Sequence, residues 1–244
     1  MTDGAMALGD GRGEVMSDIA LWEHEGMDRL IDDLLACPVC EYLPAERFAC
    51  VKDCWYWHCP SCEATFMDPA SRLTPDAEMQ QYLLHRNDPR DEGYRRYLNA
   101  MVEPLLQRLP PASRGLDYGC GPASTTAAML REAGHDVAQY DPFFRPDSAA
   151  LDEQYDFIVC TEVVEHFHTP LDEFRRLHSL LRPGGRLALM TRFLVDDTDF
   201  AHWHYRRDPT HVVFYRQATL LRLAARFDWE CDVPRVDVAF LTKR

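Results

Sequence analysis

The stretch RGLDYGCGPASTTAAMLREAGHDVAQYD, residues 114–141, constrains the fold more than any other part of the chain. A short apolar run, RGLDY, reads as a strand and ends on Gly119-Cys120-Gly121-Pro122. A helical pattern, ASTTAAMLREAG, follows, and a second strand, DVAQYD, closes on Asp141. Two strands joined through a helix supply the crossover connection that a parallel pair needs. Glycines at such a turn let the backbone approach a ligand closely, and the helix N-terminus offers unpaired N–H groups. Asp141 lies 22 residues after Gly119, where a carboxylate can accept hydrogen bonds from the hydroxyls of a ribose.

The same alternation continues downstream. YDFIVCT reads as a strand, PLDEFRRLHSLL as a helix, GRLALMT as a strand and QATLLRLAARF as a helix, with two short strands after it. That order predicts an α/β domain over 113–244, a Rossmann-like, mostly parallel sheet flanked by helices. One interval is too short for the pattern. Thirteen residues, PFFRPDSAALDEQ, separate Asp141 from Tyr155, where a helix and a third strand are expected; the element is either very short or missing.

Upstream, four cysteines stand in two knuckles. Cys37-Pro-Val-Cys40 and Cys59-Pro-Ser-Cys62 are separated by eighteen residues, a spacing that lets four thiolates close a tetrahedron around Zn²⁺. Cys50 and Cys54 lie between the knuckles and could replace one member. A closed four-thiolate site has no open position for substrate, so a zinc ion here is expected to be structural and to organise a small domain with little core of its own. The expected organisation is therefore a disordered tail over 1–17, an N-terminal helix and zinc ribbon over 18–70, a helical connector over 71–112, and the α/β domain. Thr74-Pro75 and Asp88-Pro89 read as helix starts within the connector.

Composition narrows the function classes. The chain has 26 basic and 40 acidic residues, for a formal net charge of −14. An acidic surface repels phosphate backbones, which argues against nucleic acid as the main partner. No uncharged apolar run is long enough to cross a membrane. The N-terminus has neither a basic nor an apolar region of the kind a signal peptide needs, so the expected compartment is the cytoplasm. Nine cysteines in such a chain read as thiols or metal ligands rather than disulfides.

Two cofactor readings fit the glycine turn. A dinucleotide enzyme would place a third glycine near Ser124 for helix packing, and that position is serine here. The alternative is an S-adenosylmethionine enzyme, which holds no pyrophosphate. GLDYGCGPA, YDFIVCTEVVEHF and LLRPGGRLALMT together resemble class I S-adenosylmethionine-dependent methyltransferases, and EVVEHF resembles that element in the ubiquinone-biosynthesis O-methyltransferases. The resemblance is close over roughly residues 113–193, and an N-terminal zinc ribbon before such a domain resembles a recurring bacterial arrangement.

It implies that Asp117, Gly119 and Gly121 line the methionine end of S-adenosyl-L-methionine and that Asp141 binds its ribose. Thr161 and Glu162, at the tip of the fourth strand of the family pattern, would face cofactor or substrate, and His166 would stand where some relatives place a general base. From the residues alone, Glu162 and Glu165 read equally well as helix-start acids, and Cys120 and Cys160 as small packing residues. Phe143 or Phe144 would stack on adenine or simply pack in the core. Tyr82, His85, Arg86 and Asn87 are weaker candidates in the connector.

The connection from strand GRLALMT to helix QATLLRL runs from about Arg192 to Arg216 and leaves from the carboxyl edge of the sheet, where ligands of open α/β sheets bind. Ordered loops of this length usually carry function. It contains HWHYRRDPTH, residues 202–211. Three readings compete: a metal site of His202 and His204 with Asp208 or His211; a substrate and acid–base wall of His204 and His211 flanking Arg206 and Arg207; or a structural loop with Asp208-Pro209-Thr210 as a turn and Val212, Val213 and Phe214 as core. The second would make His166, His204 and His211 the catalytic candidates. The expected function is methyl transfer from S-adenosylmethionine to a small or medium-sized acceptor. A non-catalytic module docking a protein partner through the ribbon, and an RNA methyltransferase, are the competing classes.

Overall fold

Parallel pairing is what the alternating pattern around the glycine turn predicts, and the computed structural model has it. The structure describes Met1 and residues 34–84, 88–197 and 199–244. The expected tail, the N-terminal helix up to residue 33, and His85, Arg86 and Asn87 lie outside the described residues. A single compact unit spans Ala36–Arg244.

Three strands form in the cysteine-rich segment: β1 (Glu46–Val51), β2 (Cys54–His58) and β3 (Thr65–Met67). Two helices follow. In α1 (Pro75–Tyr82) the Thr74 hydroxyl accepts from the Ala77 N–H and proline occupies the first turn, as the sequence predicts. The second start differs. Asp88-Pro89 forms a turn, and α2 (Glu92–Leu106) begins at Asp91, whose carboxylate accepts from Gly93 and Tyr94 N–H at 2.7 and 3.0 Å. Asp91 wins because its side chain reaches two otherwise unpaired N–H groups. Helix α2 buries Leu98, Met101, Val102 and Leu105 on one face, the i, i+3, i+4, i+7 pattern of an amphipathic helix.

Beyond them lie β4 (Arg114–Tyr118), α3 (Thr125–Glu132), β5 (Asp136–Tyr140), β6 (Tyr155–Thr161), α4 (Pro170–Leu180), β7 (Leu181–Met190), β8 (Val213–Phe214), α5 (Gln217–Phe227), β9 (Trp229–Arg235) and β10 (Val238–Lys243). The main sheet has the order β5-β4-β6-β7-β10-β9. Strands β4, β5, β6 and β7 pair in parallel, and β10 is antiparallel to both neighbours. Residues 142–154 hold only a 3-10 turn at Ser148–Leu151. The third strand is absent and β5 is the sheet edge.

The core lies between the sheet and helices α2 and α3, around Leu98, Met101, Leu130, Phe157, Val159 and Met190. Strand β6 is buried on both faces, which its continuous apolar run requires. A second sheet has the order β1-β2-β3-β8. Its fourth strand comes from the long connection after β7, so the cysteine-rich segment and that connection share one ladder. Among the described residues no helix is long and apolar enough to cross a membrane.

Candidate functional site

The carboxyl ends of β4, β5 and β6 open into a cavity of about 740 Å³, and it is lined by the cofactor candidates Asp117, Gly119, Gly121, Asp141, Thr161 and Glu162 and by the catalytic candidates His166, His204 and His211. On one side stands the glycine turn. Gly119 and Gly121 adopt φ of 76° and 61°, a region costly for residues with a Cβ. A Cβ on Gly119 would stand 2.5 Å from Val163 Cγ1, whereas nothing lies within 4 Å of the Cβ position of Gly121. One glycine is needed by the protein; the other leaves space for a ligand.

The Gly121 N–H donates to Asp141 Oδ2 at 2.8 Å, and Asp141 Oδ1 accepts from Phe143 and Phe144 N–H at 2.9 and 3.0 Å. Each carboxylate oxygen can accept twice, so Oδ2 keeps acceptor capacity beyond Gly121. Asp117 sits behind the turn and accepts from the Ser124 hydroxyl, and burial pushes its pKa up to about 6. Ser124, the position where a dinucleotide site would carry glycine, caps α3 through the Ala127 N–H at 3.0 Å. Thr126 and Thr161 hydroxyls lie 3.3 Å apart across β6. Thr125 Oγ1 is a buried hydroxyl oxygen in the cavity wall, with no partner among the described residues. Donors at the turn, a carboxylate at the end of β5 and open space at Gly121 fit a nucleoside carrying an amino-acid chain.

The opposite side is assembled from distant segments. Glu162, at the end of β6, has φ of 54° and accepts from the Tyr97 hydroxyl at 2.8 Å. Burial, and then the Glu165 carboxyl, raise its pKa to about 8. Glu165 is completely buried, accepts from the Tyr205 hydroxyl, and is pushed up to about 7 by burial. Its Oε2 has no partner among the described residues. Both acids lie far from the ordinary behaviour of exposed helix-start residues.

His166 Nδ1 lies 3.0 Å from the Thr210 carbonyl, and His211 Nδ1 lies 2.7 Å from the Tyr205 carbonyl. A carbonyl can only accept, so each Nδ1 carries the proton and Nε2 is the basic nitrogen of the neutral ring. The two rings are 4.8 Å apart, and Tyr82 lies against His166 at 5.3 Å. Ligand atoms of Glu165, His166 and His211 fall within 4.8 Å of one another, a set that could hold a cation.

HWHYRRDPTH does not act as a unit. His202 is exposed and pairs with Asp199 at 3.3 Å, away from the cavity. His204 is an exposed residue lining the cavity, with Nε2 3.5 Å from the Arg192 guanidinium. His202, His204 and Asp208 therefore form no ligand cluster among the described residues, and only His211 of the stretch joins one. Nor do the two arginines line the cavity. Arg206 is buried and bonds the Ala201 carbonyl at 3.0 Å and the Tyr56 hydroxyl at 3.4 Å, while Arg207 does not line the cavity. The expected turn is present, since Asp208 Oδ1 accepts from the Thr210 N–H at 2.9 Å, and Val212, Val213 and Phe214 are buried.

The cavity also gathers residues the sequence did not single out, namely Glu78, Tyr94 and Tyr97. Tyr94 and Tyr97 stand three apart on α2 and so share a face, a signal that could have been found. Tyr205, which holds Glu165 and His211 together, carries no signal in the sequence. Of the aromatic pair, Phe143 and Phe144 both line the cavity. Cys160 is fully buried with its thiol pushed well up, and burial raises Cys120, which lines the cavity, to about 12, so both thiols are protonated.

The four knuckle cysteines converge elsewhere. Cys37 and Cys62 sulfurs are 3.6 Å apart, and Cys40 and Cys59 sulfurs 3.5 Å. Four thiolates about 2.3 Å from one Zn²⁺ stand roughly 3.8 Å apart, so the quartet fits that ion. The thiol of Cys62, with backbone N–H groups, draws Cys37 down to about 6, and burial with the Cys37 charge drives Cys59 up to about 11. A cation would relieve that mutual repulsion. Cys50 is exposed and Cys54 half-buried, and neither joins the quartet.

With this geometry in view, the comparisons are specific. Residues 90–232 match the family described as "Methyltransferase domain". The chain belongs to that family and has its class I, S-adenosylmethionine-type fold. Magnesium protoporphyrin IX methyltransferase from Synechocystis PCC 6803, solved with bound SAH, shares the fold at a TM-score of 0.51 and 14% identity, over 70% of this chain and 95% of that one. Ubiquinone biosynthesis O-methyltransferase from Aeromonas salmonicida is 29% identical over 77 residues, 32% of each chain. The same enzyme from Pseudomonas syringae pv. tomato is 31% identical over 78 residues, 32% of this chain and 33% of that one. The matched stretch thus spans about a third of these curated relatives.

Proposed function

We propose that the chain transfers the methyl group of S-adenosylmethionine to an oxygen or nitrogen of a small or medium-sized acceptor. The observation that carries this reading is the pair of histidines, each presenting Nε2 as its basic nitrogen in the same cavity as the glycine turn. In this reading Asp117, Gly119, Gly121, Asp141 and Thr161 hold the cofactor, and Glu162 stands at the border with the acceptor. S-adenosylmethionine, when bound, supplies a methyl already activated on a sulfonium. The protein then has to orient the acceptor, and orientation can supply about 7–11 kcal/mol. His166 or His211 takes the proton from the nucleophile, a task suited to a pKa near about 6.5 at neutral pH. His204 contributes at the rim.

The wall disfavours a polyanion. With Glu162 protonated near neutral pH, Glu78, Asp117, Asp141, Glu173 and Asp208 still line the cavity against one arginine among the described residues, Arg176, which is bonded to Tyr118 and Glu173. That balance supports a neutral or cationic small molecule over RNA. The cysteine quartet holds a structural Zn²⁺ in this reading, through Cys37, Cys40, Cys59 and Cys62.

The test is transfer of radiolabelled methyl from S-adenosylmethionine into fractions of a cell extract. Label in a small-molecule fraction, lost in H166A/H211A, is the expected outcome. Tight binding of S-adenosylhomocysteine with no label in any fraction would leave a cofactor-binding module instead, and label in RNA would reverse the acceptor class.

A further inference from the structure

A four-cysteine ribbon is ordinarily read as a fold-stabilising appendage. Here its last strand runs into the methyl-transfer wall. Strand β3 begins three residues after Cys62 and pairs antiparallel with β8, Thr65 opposite Phe214 and Phe66 opposite Val213. One step further along this ladder lies Val212, and both of its backbone groups are engaged. Its carbonyl accepts from the Met67 N–H at 2.8 Å, and its own N–H donates to the Glu165 carbonyl at 2.8 Å. Val212 follows His211 directly, and Glu165 precedes His166. A single peptide segment therefore links the ribbon to both histidines.

The link is reinforced on either side. Cys59 holds the other end of β3 through two backbone bonds, its N–H to the Ala64 carbonyl at 2.9 Å and its carbonyl from the Glu63 N–H at 2.8 Å. From β2, Tyr56 packs on Phe200 and Phe214 of the long connection, with ring centroids 5.0 and 6.1 Å away. Tyr56 also receives the buried Arg206 guanidinium. Among the described residues nothing comparable ties the ribbon to the glycine turn: Gly119 and Cys120 are held by the Tyr140 carbonyl of β5, inside the main sheet.

We propose that the ribbon is a positioning element of the methyl-transfer site. With its thiolates bound to metal, β3 fixes the backbone at Val212, and through it the tautomer and placement of His211 and His166, while the cofactor cradle stands independently. The proposal rests on reading the cavity as a methyl-transfer site and the quartet as a metal site. Occupancy of the ribbon metal would then set turnover and leave cofactor affinity alone. A strand is a suitable coupler, because one-residue pairing errors on a buried ladder are strongly disfavoured and the register passes along it.

Met67→Pro cuts the link, along with the packing of one buried side chain. The Met67 N–H points to Val212, so the substitution deletes that bond, leaves the four cysteines intact and removes no metal from any other site. The full-length wild type, the wild type treated with a chelator, and M67P are compared by three readouts. These are calorimetry with S-adenosylhomocysteine, amide exchange at Val212, and the nitrogen-15 signature of the histidine tautomers.

The expected result for M67P and the chelated protein is exchange at Val212 faster by about tenfold or more, in the manner of a locally opened segment. The fixed Nδ1–H signatures of His166 and His211 give way to mixed tautomers, while S-adenosylhomocysteine affinity stays within about threefold, under a kilocalorie per mole. Unchanged histidine signatures in both samples would overturn the proposal. Loss of S-adenosylhomocysteine binding in step with the histidine signature would also overturn it, making the ribbon a general stabiliser. A wild type that does not bind S-adenosylhomocysteine would instead overturn the reading of the cavity itself.

Discussion

The two sides of the cavity are built differently. The side assigned to the cofactor comes, apart from Thr161, from one contiguous stretch, residues 117–141, in which strand, turn, helix and strand fold on each other and Asp141 bonds Gly121 directly. The acceptor side is gathered from α1, α2, the turn after β6 and the loop after β7, whose residues meet only when the whole unit has folded. A contiguous cradle can be conserved in geometry across chemistries, whereas a gathered wall can be changed one segment at a time. That is a physical reason for one family to keep its cofactor while varying its acceptors.

Substitutions at the histidines should separate the two sides most strongly. Of H166A and H211A, the one that removes the base is expected to lower kcat by about 10²–10⁴, the usual worth of a general base, and the other by less. S-adenosylhomocysteine affinity, measured by calorimetry, should stay near wild type in both. A matching loss of affinity would mean that the sides are not separable. H204A, at the exposed rim, should have the smallest effect of the three.

The reverse separation comes from the glycine turn. Gly119→Ala places a Cβ 2.5 Å from Val163 Cγ1 at a φ of 76°. Strain and overlap of this kind cost about 1–3 kcal/mol, so thermal unfolding should show a lower Tm and calorimetry a weaker S-adenosylhomocysteine complex. Gly121→Ala shares the positive φ but meets no neighbour. Its folding penalty should be smaller and its cofactor loss comparable, because the space it fills is the ligand's. Equal melting points for the two variants would show that Val163 yields.

The same contrast governs what could be read from the sequence. The helices and parallel strands of residues 114–227 follow from local periodicity, and their ends match within a few residues because each pattern is long and flanked by turn residues. The glycine turn and Asp141 were legible for the same reason. Tyr205 was not, since its partners Glu165, Thr191 and His211 come from three segments and nothing local marks it. HWHYRRDPTH shows the limit from the other direction. Its composition invites a metal site, yet Arg206 bonds Tyr56 of the ribbon, His202 is left outside the cavity and only His211 joins the buried Glu165. Tertiary contacts, which composition does not encode, separate these residues.

A smaller effect should appear as pH dependence. The Glu162 carboxyl, ordinarily near 4.5, is raised to about 8, first by burial and then by Glu165. The folded chain therefore holds this proton where the unfolded chain has released it, so the Glu162 contribution to stability is lost as pH rises from about 4.5 through about 8. A cationic ligand beside it reverses the preference and favours the carboxylate. S-adenosylmethionine carries a sulfonium and S-adenosylhomocysteine does not. The affinity ratio of the two should therefore rise with pH between about 6 and 8, by at most about tenfold per unit. E162Q should flatten that ratio, and a flat ratio in the wild type would place the sulfonium away from Glu162.

Tyr97→Phe tests the boundary between the two sides with the smallest expected change. Its hydroxyl donates to Glu162 Oε1 at 2.8 Å and favours the charged carboxylate against burial and Glu165. Removing that donor takes away one hydrogen bond to a carboxyl, worth about 1.5–3 kcal/mol when the acceptor is charged and less when it is protonated. The pH at which the affinity ratio rises should therefore move upward, while S-adenosylhomocysteine binding at pH 6, where Glu162 is already neutral, changes little. Helix α2 carries Tyr97 from outside the contiguous cradle, so an upward shift would mean that a residue of the gathered wall tunes the cofactor's charge partner. An unchanged profile would confine the control of Glu162 to burial and Glu165, and the two sides would meet there without exchanging influence through α2.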